Sequence, residues 1–322
     1  MLFRSTADKA GRVTFVNTAI LTILGSFNLG ITLGVNAILI FNRTLILSIS
    51  SYNRYMHHNI LVAHESPISM LDHSITYNDY DYALVHLFET HPNYYDFFKK
   101  SLKHGRQVLL DNSIFELGKA FDADKFANYV KELRPSFYIV PDVLEEGYNT
   151  VKSFASFTSK FTDLPGLKIG AVQGKTYDEL VDCYKYMSEY ADYVAISFDF
   201  SYYVVTGRGK TKLERWCSGR QNFINDLIQD GIWNWDKPHH LLGCSLAKEF
   251  RYYVDSNITN IRSCDTSNPI VAGIKGLRYN GDLGLQDKPS QKLAEMIDHD
   301  VTQEELANIF FNVTQFKKIL RQ

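Results

Sequence analysis

From residue 59 onward, short apolar runs ending in polar residues alternate with stretches whose apolar positions recur at helical spacing. NILVAHES (59–66), QVLLDNS (107–113), SFYIVPDV (136–143), LKIGAVQG (167–174), YVAISF (193–198), HHLLGCS (239–245) and NIRSCDTS (260–267) read as buried strands. An eighth strand is expected within VAGIKGLRY (271–279), and the stretch 81–105 reads as mostly helical, interrupted near Pro92. Phe126, Tyr129, Val130 and Leu133 share one helix face, and Pro135 ends that helix. Thr176 and Glu179 have capping-box spacing ahead of a helix that aligns Leu180, Cys183, Tyr184 and Met187. Further helices are expected over roughly 145–160, 214–230 and 247–254, and 199–212 reads as a loop. Alternation of this kind is that of βαβ units, and seven or eight of them predict an α/β fold, a (β/α)8 TIM-type barrel. A doubly wound open sheet is the alternative, but the first βα turn carries no GxGxxG.

The barrel is expected to occupy 56–285, followed by a helical segment over 286–322. There Thr302 and Glu305 form a second capping box, and Leu306, Ile309, Phe310, Val313, Phe316 and Leu320 line one face of a terminal amphipathic helix that packs on the barrel. Residues 1–55 differ in character. Val13 to Asn42 holds no charge, and AILTILGSFNLGITLGVNAILIF (19–41) is long enough to span a bilayer. Asn17, Asn28 and Asn36 dilute it, and it fits a signal peptide poorly. Three readings stay open: an extension foreign to the folded protein, which would then start near Met56; a membrane anchor; or a piece of the globular fold.

The chain has 322 residues, 45% of them apolar and 22% charged, with a net charge of −2. That excludes wholesale disorder and a uniformly basic nucleic-acid binder. Two local basic clusters remain: Lys99, Lys100, Lys103 and Arg106, and Arg208, Lys210, Lys212, Arg215 and Arg220 with Glu214 opposing. Each is either a solvated face or a contact for a phosphate backbone. The four cysteines, Cys183, Cys217, Cys244 and Cys264, form no CxxC pair, which argues against a thiolate zinc site and for a reducing, cytoplasmic compartment.

In a barrel of this kind the chemistry gathers at the C-terminal ends of the strands. Those ends carry Asp111 with Asn112, Asp142, Gln173 with Gly174, Ser197, Cys244 with Ser245, and Asp265. One aspartate at a strand end commonly caps the next helix. Three of them converging with a glutamine point instead to acid–base and nucleophilic work on a glycosidic bond, since no histidine stands in the set and no spacing suits a metal.

These stretches, LLDNSIFELG (109–118), IVPDVLEEG (139–147), GAVQGKTYDE (170–179), YVAISF, HLLGCSLAKEF (240–250) and IRSCDTSNP (261–269), together resemble the tRNA-guanine transglycosylase family, including its viral paralogues that insert deazapurines into DNA. The resemblance implies a pentosyltransferase that replaces guanine in DNA or tRNA by a 7-deazaguanine-type base, without a cofactor and often as a homodimer. It gives Asp265 the role of nucleophile at the ribosyl C1′ and Asp111 that of proton carrier. Asp142 would read the purine edge, helped by Gln173 and the backbone of Gly174. Ser197 falls where the family places a glycine. The target base must leave its stack, and Phe115, Phe198 or Tyr202 are candidates to sandwich it. No cysteine follows Cys264, so the zinc site of the tRNA enzymes is absent, and Ser267-Asn268-Pro269 replaces their basic motif. Both departures favour a divergent member acting on DNA, in a host cytoplasm if viral. The alternatives are a non-catalytic nucleic-acid-binding subunit on the same barrel, a carboxylate-dependent glycoside hydrolase with Glu65 as its acid, and a membrane-anchored protein of unrelated function.

Overall fold

Among the described residues eight strands form: β1 (Leu61–His64), β2 (Asp81–Leu84), β3 (Val108–Asp111), β4 (Phe137–Ile139), β5 (Leu167–Val172), β6 (Tyr193–Ile196), β7 (His239–Leu241) and β8 (Ile261–Thr266). All pair in parallel, in the order β1-β8-β7-β6-β5-β4-β3-β2. The longer helices are α1 (Pro92–Lys103), α2 (Ala123–Leu133), α3 (Gly147–Lys160), α4 (Tyr177–Tyr190), α5 (Lys212–Gln229), α6 (Lys248–Asp255), α7 (Asn268–Ile274) and α8 (Gln303–Arg321). The result is a nearly closed α/β barrel of the TIM type. This computed structural model describes residues 60–198, 200–244, 246–280 and 293–321. The expectations for residues 1–55, and the strand-end residue Ser245, lie outside them. Among the described residues, no helix is long and apolar enough to cross a membrane.

Local chemistry explains the elements. The Asp122 carboxylate accepts from Lys125 N at 2.9 Å to start α2, which buries Phe126, Ala127, Val130 and Leu133 and ends at Arg134 in the left-handed region. Thr302 Oγ1 accepts from Glu305 N at 3.3 Å while Glu305 accepts from Thr302 N at 2.7 Å, the reciprocal box that opens α8. Thr211 and Glu214 make another at the head of α5.

Three elements differ from the sequence reading, the first being a short helix, Ser201–Thr206, inside the stretch expected to be a loop. Asp81–Leu84 is a strand, not part of a helix, because all four residues are buried and pair with Val108–Asp111. Asp81 starts it as half of an ion pair, with Arg106 donating to both carboxylate oxygens at 2.7 and 2.8 Å. The expected strand within 271–279 is instead helix α7, with Pro269 in its first turn and every residue from Asn268 to Ile274 buried. A helix apolar on all sides has no periodicity to betray it. The strand-end residues consequently belong to later strands than expected: Asp111 ends β3 and Asp265 sits in β8.

Only short turns, Ile68–Met70 and Leu71–Ser74, connect β1 to β2. The terminal helix covers β1 instead, with the Phe316 ring edge-on to His64 at 5.5 Å. His64 is buried between Phe316 and Tyr77, and burial lowers its pKa to about 3, so it stays neutral. Where β1 meets β2 the ladder is replaced by side chains. Asp79 N donates to Val62 O at 3.0 Å, and the Asp79 carboxylate accepts from Val62 N at 2.9 Å. Asn78 accepts from His64 N at 2.7 Å and donates to His64 O at 3.0 Å. Lys317 of α8 pairs with Asp79 at 2.9 Å, tying the terminal helix to this seam.

Asn78→Ala removes the acceptor of His64 N, while His64 O keeps the Ser66 hydroxyl at 3.2 Å, and an unsatisfied buried group costs about 1–3 kcal/mol. A loss of stability in that range is expected in urea unfolding. An unchanged midpoint would show that the seam is held by something else.

Candidate active site

A cavity of about 490 Å³ opens at the C-terminal ends of the strands, and Asp111, Asp142, Gln173, Ser197 and Asp265 all line it. Residues spread over most of the chain thus meet around one space, as the barrel geometry requires. Gly174 is not among the lining residues. It packs against the start of α4, where an added Cβ would come within 2.8 Å of Leu180 N. Of the aromatic candidates, Phe115 and Phe198 line the cavity; Tyr202 packs against Tyr203 and Phe223 instead. Trp216 of α5, which the sequence did not single out, also lines it.

The three aspartates have different surroundings. Asp142 is 4% exposed and accepts from Asn112 Nδ2 at 2.8 Å and from Gln173 Nε2 at 2.5 Å, one on each oxygen. Gln173 is fixed in turn by Glu145 N, which donates to its Oε1 at 2.8 Å, and Asn112 by Ile114 N at 2.9 Å. Burial raises the Asp142 pKa, and the two amides partly offset this. An ionised carboxylate has about four acceptor sites, so Asp142 keeps capacity for a ligand after these two bonds.

Asp111 accepts from Ser113 N at 2.6 Å and from the Tyr82 hydroxyl. Ser113 adopts a left-handed conformation, φ 60°, at the turn that follows the carboxylate. The surrounding protein holds the Asp111 pKa well above the usual carboxylate range, chiefly by desolvation and then by the charge of Glu116. Glu116 and Glu65 line the same cavity.

Asp265 is also 4% exposed. Its Oδ1 lies 3.0 Å from His240 Nε2 and accepts from Gly243 N at 3.1 Å, while Oδ2 is 3.2 Å from the same Gly243 N. The expectation that no histidine belongs to the set is therefore wrong. His240 lies in β7 one strand from Asp265, and no sequence spacing marks that cross-strand neighbour.

Behind this corner lies Arg220, which is fully buried and does not belong to the basic cluster to which its position in the sequence assigned it. Its guanidinium meets Glu249 with two bonds, at 2.8 and 2.9 Å. It also donates to the carbonyls of Ile196 at 3.2 Å, Leu242 at 3.0 Å and Gly243 at 3.0 Å. These oxygens lie where β6 and β7 end and the chain leaves the ladder. Gly243 takes φ 65°, a region that favours glycine, so that its N–H faces Asp265 while its carbonyl faces Arg220. Arg208, Lys210 and Lys212 remain exposed on the mouth side between β6 and α5, and Lys212 lines the cavity with its ammonium 4.4 Å from the Trp216 ring. In the other cluster, Arg106 turns inward to Asp81.

Among the described residues, no group of three or more histidine, cysteine or acidic side chains could hold a metal ion. The four cysteines are free and buried. No protein-family model matches the chain, and no curated protein does. Among solved structures it is similar to a fructose-bisphosphate aldolase from Campylobacter jejuni, with 12% identity over 86% of this chain and 92% of that chain and a TM-score of 0.43. A likeness at that level says nothing of substrate, and the chemistry rests on the cavity itself.

Two expected outcomes follow from these contacts. Arg220→Met leaves Glu249 buried and unpaired and should cost about 3–5 kcal/mol, whereas the double variant with Glu249→Leu should recover most of it; denaturant unfolding of both decides. For Asp111, a pKa raised by folding adds stability below the unfolded value, near pH 4, that is lost as the pH rises through the folded value. The stability of Asp111→Asn relative to the parent should therefore increase from about pH 4 to pH 7. A difference flat in pH would contradict the assigned environment.

Proposed function

We propose that the protein exchanges a purine base in a nucleic acid, replacing guanine by a 7-deazaguanine-type base through a covalent aspartyl-glycosyl intermediate, as the tRNA-guanine transglycosylase family does. The observation that carries this reading is the meeting of Asp111, Asp142, Gln173 and Asp265 around one cavity. Its volume, about 490 Å³, suits a nucleoside.

In this reading an oxygen of ionised Asp265 bonds to C1′ as the C1′–N9 bond breaks, and the electron pair leaves with the base. Asp111, which keeps its proton to unusually high pH, protonates that nitrogen. The incoming base returns a proton to Asp111 as its own nitrogen attacks C1′ and releases Asp265, so atoms and charges balance and the polymer is never cut. Asp142 accepts from the ring N–H and amine of the purine, which favours its ionised form against the effect of burial. Gln173 holds Asp142, and the Ser197 hydroxyl faces the same space. Phe115, Phe198 and Trp216 offer ring faces for the extruded base. Arg208, Lys210 and Lys212, on the mouth side, suit the flanking phosphates.

A second reading, hydrolysis of a glycosidic bond in a small sugar, draws on Glu65 and Glu116, which add carboxylates to the same cavity. Incubation with labelled guanine and either DNA or tRNA separates the two. Base exchange predicts label in one polymer, none with Asp265→Asn, and a rate lowered about 10²–10⁴-fold with Asp111→Asn. Label in neither polymer, from folded protein and with several bases tried, would overturn the proposal; release of free sugar would favour the hydrolase.

A further inference from the structure

His240 is fully buried, and the reaction as written above gives it no task. Its ring spans two groups: Nε2 is 3.0 Å from Asp265 Oδ1, and Nδ1 is 2.9 Å from Ser263 Oγ. Ser263 and Asp265 are two residues apart in β8, so both side chains point to the same side of the sheet, toward His240. An ionised carboxylate can only accept, so beside ionised Asp265 the proton of a neutral imidazole must sit on Nε2. Nδ1 is then bare and accepts from the Ser263 hydroxyl. Oδ1 is thereby held twice, by His240 and by Gly243 N at 3.1 Å, while Oδ2 has one longer contact, at 3.2 Å.

We propose that His240 is the positioning residue of the nucleophile: with Ser263 fixing its tautomer, it anchors Oδ1 of Asp265 and leaves Oδ2 as the atom that bonds to C1′. The assignment rests on the base-exchange reading for its chemistry, but its tautomer does not. As the Oδ2–C1′ bond forms and the C1′–N9 bond breaks, the negative charge of Asp265 passes to the departing base, which takes the proton of Asp111. His240 neither gains nor loses a proton in the cycle. The other titratable side chains around the pair are Tyr80, edge-on to the imidazole at 6.5 Å, and Tyr82, Tyr193, Cys264 and, across the cavity, Asp111. Burial raises the pKa of all three tyrosines and of Cys264, which keeps them uncharged. His240 is the side chain that contacts Asp265 directly, and its role is geometric.

The full-length protein with ¹⁵N-labelled histidine supplies the first test, with the signal of His240 identified by its loss in His240→Gln. The expected spectrum has a protonated Nε2 and a bare Nδ1; the opposite tautomer would overturn the proposal. The second test is the rate of covalent-intermediate formation at saturating substrate. In His240→Gln an amide donor keeps Oδ1 anchored, so the plateau rate should stay within about tenfold of the parent, while His240→Ala should lose about 10²-fold or more. Equal rates in His240→Gln and His240→Ala would show a merely structural histidine and overturn the assignment. If the parent labels no polymer, the base-exchange reading fails, and the spectrum still decides the tautomer.

Discussion

A buried guanidinium surrounded by carbonyl oxygens holds the cavity end of this barrel together. The carbonyls of Leu242 and Gly243 lie just past the end of β7, and that of Ile196, at the end of β6, also accepts from Leu242 N at 3.0 Å. Arg220 gives those oxygens donors, and Glu249 neutralises the charge that this requires. Neither partner is tolerable without the other, because a lone charge at zero exposure carries a desolvation penalty of several kcal/mol. Together they join α5 and α6 to the ends of two strands. Gly243 passes the constraint on: its carbonyl is fixed by Arg220, so its N–H is fixed toward Asp265.

Within that frame, three identical side chains acquire three characters. Asp111 sits among protein groups with a second carboxylate nearby and holds its proton tightly. Asp142 is equally enclosed, yet two amide donors offset part of the burial. Asp265 has an imidazole and a peptide N–H on one side and the cavity on the other. In the proposed base exchange, these environments suit an acid, a reader of hydrogen-bond patterns and a nucleophile built from one residue type.

The barrel and most of the strand-end residues were legible because parallel strands buried on both faces are written as short apolar runs, and their ends must be polar. Asp111, Asp142, Gln173, Ser197 and Asp265 were found that way. β2 was not, since four buried residues running straight into further apolar positions suit a helix equally well; pairing with β3 decides. α7 failed for the converse reason, being buried on every side. Arg220 looked like one more surface cation because its pairing with Glu249 spans two helices, and His240 looked isolated because its partner lies on the neighbouring strand. Each of these misses is a contact between residues distant in the chain, to which local pattern is blind.

The side-chain seam at β1 bears on how the chain is made. β1 pairs with β8, whose residues follow some 200 positions later, and its other edge is closed by Asn78 and Asp79 rather than by a ladder. At ribosomal speeds of about 5–20 residues per second, the first strand waits roughly 10–40 s for its ladder partner. Lys317, which clips the last helix to Asp79, emerges later still. Until then β1 presents one open edge on the nascent chain, available to any other strand that passes. Closure of this seam therefore waits for the helix that carries Lys317, among the last described elements to be made.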